Sequence, residues 1–218
     1  MSMEAFVRPR MRGVLHAAFF PVFLAAGIVL VTLAGSARGR FAMAAYGIGL
    51  AACLGVSAVY HRGNWSPRGR ELLGRVDHAL IFLLIAGSYT PFCLLMLSGT
   101  IAYVVLGVVW VGGIIGGSLA FLWPRAPAWA EVAPYAVVGW VIVIALPQLV
   151  AALGWGGMSL LAVSGLLYTG GAVIYGRQWP DPFPRVFGYH EIFHALVVLA
   201  AATQCVMMFV WVLPRSGL

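Results

Sequence analysis

Apolar residues fill this chain in long, nearly unbroken stretches, and polar residues are confined to short segments between them. A helix crossing a hydrocarbon core of about 30 Å needs roughly 20 apolar residues. Seven stretches reach that length: residues 14–35, 41–60, 77–97, 101–122, 133–152, 158–176 and 189–212. Backbone polar groups in lipid must pair internally, which leaves helices or a closed barrel. The runs lack the two-residue alternation of a barrel strand, so the pattern predicts an all-α, polytopic bundle of seven transmembrane helices. The longest connection, residues 61–76, has no room for a soluble domain, so one membrane domain is expected to span residues 1–218.

Composition strengthens this picture. Hydrophobic residues make up 62% of the 218 positions and charged residues 9%, with a mean hydropathy of +0.98. Soluble domains carry about a quarter charged residues, and too little polar surface is present here to cover a soluble core. The first twelve residues are basic and lead directly into an apolar run without a small-residue cleavage site. They predict a first span rather than a removed signal peptide. Cys53, Cys93 and Cys205 all lie inside apolar runs, without CxxC spacing, and read as small packed residues.

Charge adds direction. All thirteen cations are arginines, against six acids, for a net charge of +7. They are scattered among short connections, which argues against a nucleic-acid-binding face. Arg8, Arg10, Arg12, Arg62, Arg68, Arg70, Arg75, Arg125, Arg177 and Arg185 fall on one side of the predicted topology, and Arg38, Arg40 and Arg215 on the other. The richer side faces the cytoplasm, so the N-terminus is expected inside and the C-terminus outside. Small residues spaced four apart, as in Gly112, Gly113, Gly116 and Gly117, predict close helix packing within the bundle or between subunits of a homo-oligomer. Pro91 and Pro147 should kink their spans. Trp65, Trp123 and Trp179 read as interfacial anchors.

Ionisable residues within spans carry the chemical information, because lipid makes them costly. His61 ends the second predicted span, Asp77 begins the third, and His190 and His194 begin the seventh. The topology puts all four at the cytoplasmic ends of their helices, although nearly the whole chain separates them. His190 and His194 are four residues apart on one helix face and can share a metal ion. Ser57 precedes His61 by the same spacing. Three imidazoles leave a fourth position for water, as in a catalytic zinc site. Asp77 is then placed to hold that water and take its proton, with Ser57 beside it. Glu191 completes a literal H-E-x-x-H, the zincin motif, but its first-turn position also suits a charge that meets the helix dipole. His16 and His78 read as interfacial or packing residues.

The segments SAVYHRGNWSP, RVDHALIFLLIAGSYTPF, GWVIVIALP, YTGGAVIYGRQWPDP and FGYHEIFHALVVL, together with RGVLHAAFFP at 12–21, resemble the bacterial hemolysin III branch of the progestin and adipoQ receptor family. The resemblance implies a seven-helix bundle with zinc on three histidines, matching His61, His190 and His194, and with Ser57 and Asp77 as polar partners. Adiponectin receptors and the related alkaline ceramidases are associated with zinc-dependent hydrolysis of the ceramide amide. The resemblance therefore implies a multi-pass protein of the bacterial plasma membrane that hydrolyses an amide or ester in a membrane lipid. The alternatives are a receptor, regulator or transporter in which zinc ties the second and seventh helices together, a cytolytic protein, and an intramembrane protease.

Overall fold

A computed structural model describes residues 9–123 and 126–217, and its regular elements are helices. They are α1 (Val14–Leu33), α2 (Ala37–Arg62), α3 (Pro67–Leu95), α4 (Gly99–Leu122), α5 (Ala128–Gly139), α6 (Leu146–Arg177) and α7 (Tyr189–Met207). A 3₁₀ turn, Val141–Ala145, joins α5 to α6. A π turn, Met208–Val212, prolongs α7. No strand forms among the described residues. Arg8 and Arg125, two of the cations used to orient the chain, lie outside them. Six helical stretches are long and apolar enough to cross a membrane, and the fifth of these runs from Trp129 to Arg177.

Helices α2 and α3 start earlier than the apolar pattern predicts, both for the same reason. Hydropathy marks where a helix enters lipid, whereas capping residues mark where it begins. Ser36 accepts a hydrogen bond from Gly39 N at 3.0 Å and starts α2 at Ala37. Ser66 accepts from Gly69 N at 3.2 Å, with Pro67 in the first turn, and starts α3. The first turns of α3 are polar and carry an Arg75–Glu71 pair at 2.6 Å, one turn apart. Asp77 therefore sits about three turns inside α3 instead of heading it.

The 49-residue stretch from Trp129 to Arg177 does not run straight. Gly154 adopts φ 61° and ψ −174°, a conformation that residues with a side chain rarely adopt, and breaks the helical path of α6. The flanking halves then lie side by side. Trp140 Nε1 donates to Thr169 Oγ1 at 3.2 Å, and the Tyr175 hydroxyl to Glu131 Oε2 at 3.5 Å. Pro147 falls in the first turn of α6, just after the 3₁₀ turn, and Pro91 lies within α3 as expected.

Each helix packs chiefly on its sequence neighbours, and α7 closes the ring against α1. Tyr46, Leu50, Leu54, Phe92 and Met207 are buried inside, whereas Phe41, Ile48, Ile114 and Leu166 face outward, as lipid contact requires. The glycine stripe of α4 is taken up within the bundle. Gly112 faces Val138, Gly113 and Gly116 face Phe82, and Gly117 faces Ala79.

Polar contacts secure both ends. Arg10 N and Met11 N donate to the carbonyls of Arg185 and Val186, both at 3.1 Å. At the opposite end Ser36 Oγ donates to Ser216 O at 2.5 Å, and Arg215 donates to Ala152 O at 2.6 Å. There too Ser98 N donates to Gln148 Oε1 at 2.9 Å.

The tightest interhelical approach relevant to function is that of α2 and α3. A Cβ on Gly87 would lie 2.5 Å from Ala45 O, and one on Gly49 would lie 2.8 Å from Leu83 O. Neither obstacle is a flexible side chain. Gly87→Ala should therefore cost about 1–3 kcal/mol through overpacking. Gly107→Ala, with open space around it, should be neutral or slightly stabilising. Thermal unfolding of the two purified variants tests this, and equal melting temperatures would contradict the close approach.

Candidate metal centre

The last turn of α2 brings His61 inward, and Ser57 lies one turn before it on the same face. Both are buried, Ser57 with 2% exposure and His61 with 7%. Asp77 faces them from α3 at 8% exposure, close enough to the Ser57 hydroxyl to feel its dipole. From α7, His190 and His194 point to the same place. His61 Nε2 and His190 Nε2 are 3.2 Å apart, and Asp77 Oδ2 is 3.6 Å from His61 Nε2. The His194 ring centroid is 4.6 Å from that of His190 and 5.1 Å from that of His61.

One nitrogen from each histidine can be chosen so that all three lie within 4.8 Å of one another, and this group can hold a metal ion. The bare arrangement leaves two basic nitrogens facing each other in a buried space. They must either share a proton or share a cation. The five residues singled out in the sequence thus lie around one point.

Glu191 does something else. It is 1% exposed, and its two carboxylate oxygens are both engaged. Oε2 accepts from Gly188 N at 2.8 Å, closing a box across the first turn of α7, and Oε1 is ion-paired with Arg12 Nε. Tyr189 N donates to Asp181 Oδ1 at 3.1 Å, which ties the preceding loop to the same turn. The zincin motif is therefore literal in sequence only. Its glutamate anchors the helix that carries the two histidines.

Two residues read as packing belong to the surroundings of the site. His16, from the first turn of α1, stacks on His194 with ring centroids 3.8 Å apart and an interplanar angle of 13°. His78 Nδ1 lies 3.6 Å from Glu131 Oε2, which Tyr175 also reaches. The signal for His16 was its place at the same helix end as the others. No sequence signal pairs His78 with Glu131, because that contact depends on how α5 lies against α3.

Below the cluster lies a cavity of about 400 Å³, within the size range of ligand sites. His190, His194 and Asp77 form part of its upper wall. Its sides are largely hydrocarbon, including Ile81, Leu84, Phe92, Leu146, Met158 and Leu161.

Residues 4–205 match the sequence profile described as Haemolysin-III related. The chain belongs to this family. It is 31% identical to Hemolysin-3 of Bacillus cereus over 184 residues, which cover 84% of this chain and 80% of that protein. It is 34% identical to a Hemolysin-3 homolog of Bacillus subtilis over 146 residues, 64% of each chain. It is also similar to the monocyte to macrophage differentiation factor of Homo sapiens, at 28% identity over 166 residues, 73% of this chain and 65% of that protein. The last similarity extends the relationship to the progestin and adipoQ receptors. With six helical stretches suited to crossing a bilayer, this haemolysin-III relative is a multi-pass protein of the bacterial plasma membrane.

Removing one partner of a buried ion pair leaves an uncompensated charge and typically costs 3–5 kcal/mol. In this haemolysin-III chain Arg12→Met should therefore destabilise by about 3 kcal/mol, and Arg12→Met with Glu191→Gln should recover part of the loss. Thermal unfolding of the purified variants reads both. A single variant as stable as wild type would mean that Glu191 is not held by Arg12.

Proposed function

We propose that this chain is a membrane-embedded zinc hydrolase that cleaves an amide or ester bond in a lipid, with His61, His190 and His194 as the zinc ligands. The observation that carries the reading is the 3.2 Å approach of two imidazole nitrogens, with a carboxylate 3.6 Å from one of them, at the head of a hydrocarbon-lined cavity. Zinc–nitrogen bonds of about 2.0–2.1 Å in a tetrahedral arrangement put ligand nitrogens about 3.3 Å apart. The His61–His190 spacing fits that value, and three neutral imidazoles suit zinc in charge and softness.

When bound, zinc supplies Lewis acidity toward a carbonyl and toward water. The chain's own residues do the rest. Asp77 accepts a proton from the attacking water as the acyl C–O bond forms, and returns it to the departing amine or alcohol as the scissile bond breaks. Ser57, one turn before His61 on the same face, helps hold the attacking water or the carbonyl oxygen. The cavity receives the acyl chain from the bilayer, which leaves the scissile bond beneath the histidines.

The same reading has the chain cross the membrane seven times as one domain, with the N-terminus in the cytoplasm and the C-terminus outside. The break at Gly154 and the side-by-side halves of the Trp129–Arg177 stretch support the seventh crossing. The arginine distribution supports the direction. Alkaline phosphatase fused after Arg215 should then be active, and the same enzyme fused in the connection at 124–126 inactive. The reverse pattern would invert the orientation.

A non-enzymatic reading has one observation in its favour. α2 and α7 are not neighbours in the helix ring, so a metal on His61, His190 and His194 would tie them together without any chemistry. The two readings part on the behaviour of Asp77. Purified wild-type protein should hold one zinc per chain, and His190→Ala should lose it. Asp77→Ala should keep zinc yet hydrolyse a panel of lipid amides and esters about 10²–10⁴-fold more slowly. Zinc retention with no hydrolysis of any panel lipid by wild type would favour the structural role.

A further inference from the structure

The cavity wall carries few polar groups, and most are already satisfied. Ser88, Ser164 and Thr169 donate to the carbonyls of Ile85, Ala200 and Gly165. Tyr89, Tyr135 and Tyr175 likewise reach Gly139 O, His78 O and Glu131. Besides His16, stacked on His194 in the histidine cluster, two wall groups differ. The Tyr168 hydroxyl of α6 and Gln204 Oε1 of α7 are both buried, and neither has a hydrogen-bond partner among the described residues. Gln204 is 6% exposed. An unpaired polar atom in such a place carries a desolvation penalty, so both groups call for an occupant.

Helix register places the two on either side of one level of the cavity, leaning toward it. Ser164 Oγ donates to Ala200 O at 3.2 Å, and Gly171 faces Phe193 and Leu196, so α6 and α7 run antiparallel with Ser164 level with Ala200. Tyr168 lies one turn to one side of that level and Gln204 one turn to the other. Side chains lean toward the N-terminus of their own helix. In this antiparallel pair the lean carries Tyr168 and Gln204 toward each other. The Tyr46 hydroxyl of α2 lies within electrostatic reach of Tyr168 behind them. The level of Ala200 is six residues, or about 9 Å, along α7 from His194.

We infer that the lipid held in this cavity carries a hydroxyl within its acyl chain, bound by Gln204 and Tyr168 about 9 Å below the histidine cluster. A hydroxyl suits both partners, since it donates its one proton to the glutamine carbonyl oxygen and accepts from the phenol. A plain hydrocarbon chain leaves both groups unpaired. The inference rests on the reading of the cavity as an acyl-chain site and adds a chemical class to it.

The test is competitive displacement of a fluorescent fatty acid from the purified, zinc-loaded full-length protein. The competitors are stearic acid, 10-hydroxystearic acid and 2-hydroxystearic acid. Wild type should bind the 10-hydroxy acid about tenfold more tightly than stearic acid, and the 2-hydroxy acid should gain nothing comparable. Gln204→Leu and Tyr168→Phe should each remove most of that preference while still binding stearic acid. Should Gln204→Leu lose stearic acid as well, Tyr168→Phe, which deletes only a hydroxyl, decides. Equal affinity of wild type for stearic and 10-hydroxystearic acids would mean that water serves these groups, and would overturn the inference alone. A preference that survives in Tyr168→Phe also overturns it. Failure of all three acids to displace the probe would remove the acyl-chain reading itself, and this inference with it.

Discussion

Only six carboxylates occur in this chain, and two of them, Asp77 and Glu191, are almost completely buried near one end of the helix ring. A buried carboxylate persists only where donors or cations are already aimed at it, and much of the local architecture answers that requirement. Glu191 is met by Arg12 and by Gly188 N, so the segment before α1 is fastened to the start of α7. Asp77 Oδ2 lies 3.6 Å from His61 Nε2, so α3 meets the last turn of α2. These two attachments bring the start of one helix, the end of another and the interior of a third to a common point.

The attachments need a bundle able to deliver them. The close approach at Gly49 and Gly87 brings α2 and α3 near enough for the short side chains of Ser57 and Asp77 to meet. Ring closure brings α1 to α7, which lays His16 flat on His194. The result is a cluster of imidazoles packed against one another and against their polar neighbours. Such preorganisation is what a site needs to bind a cation with defined geometry.

Beneath this cluster the ring does not fill with side chains. The cavity meets the histidines and Asp77 at its head, and it reaches Tyr168 and Gln204 along its length. A reactive head joined to an apolar barrel suits a molecule with the same division, a polar carbonyl on a long chain.

The sequence by itself determined the solvent, the helical class and the identity of the metal-binding candidates. Apolar runs about 20 residues long admit few other structures in lipid, and ionisable residues within them are too costly to be incidental. It misjudged where α2 and α3 begin, because capping by Ser36 and Ser66 is independent of hydropathy. The role of Glu191 was open, since a first-turn acid, a zincin base and an ion-pair partner read alike until Arg12 is seen beside it. The stacking of His16 on His194 and the His78–Glu131 contact were decided only by tertiary structure. Each joins residues far apart in the chain, and only helix register and ring closure determine which side chains face one another.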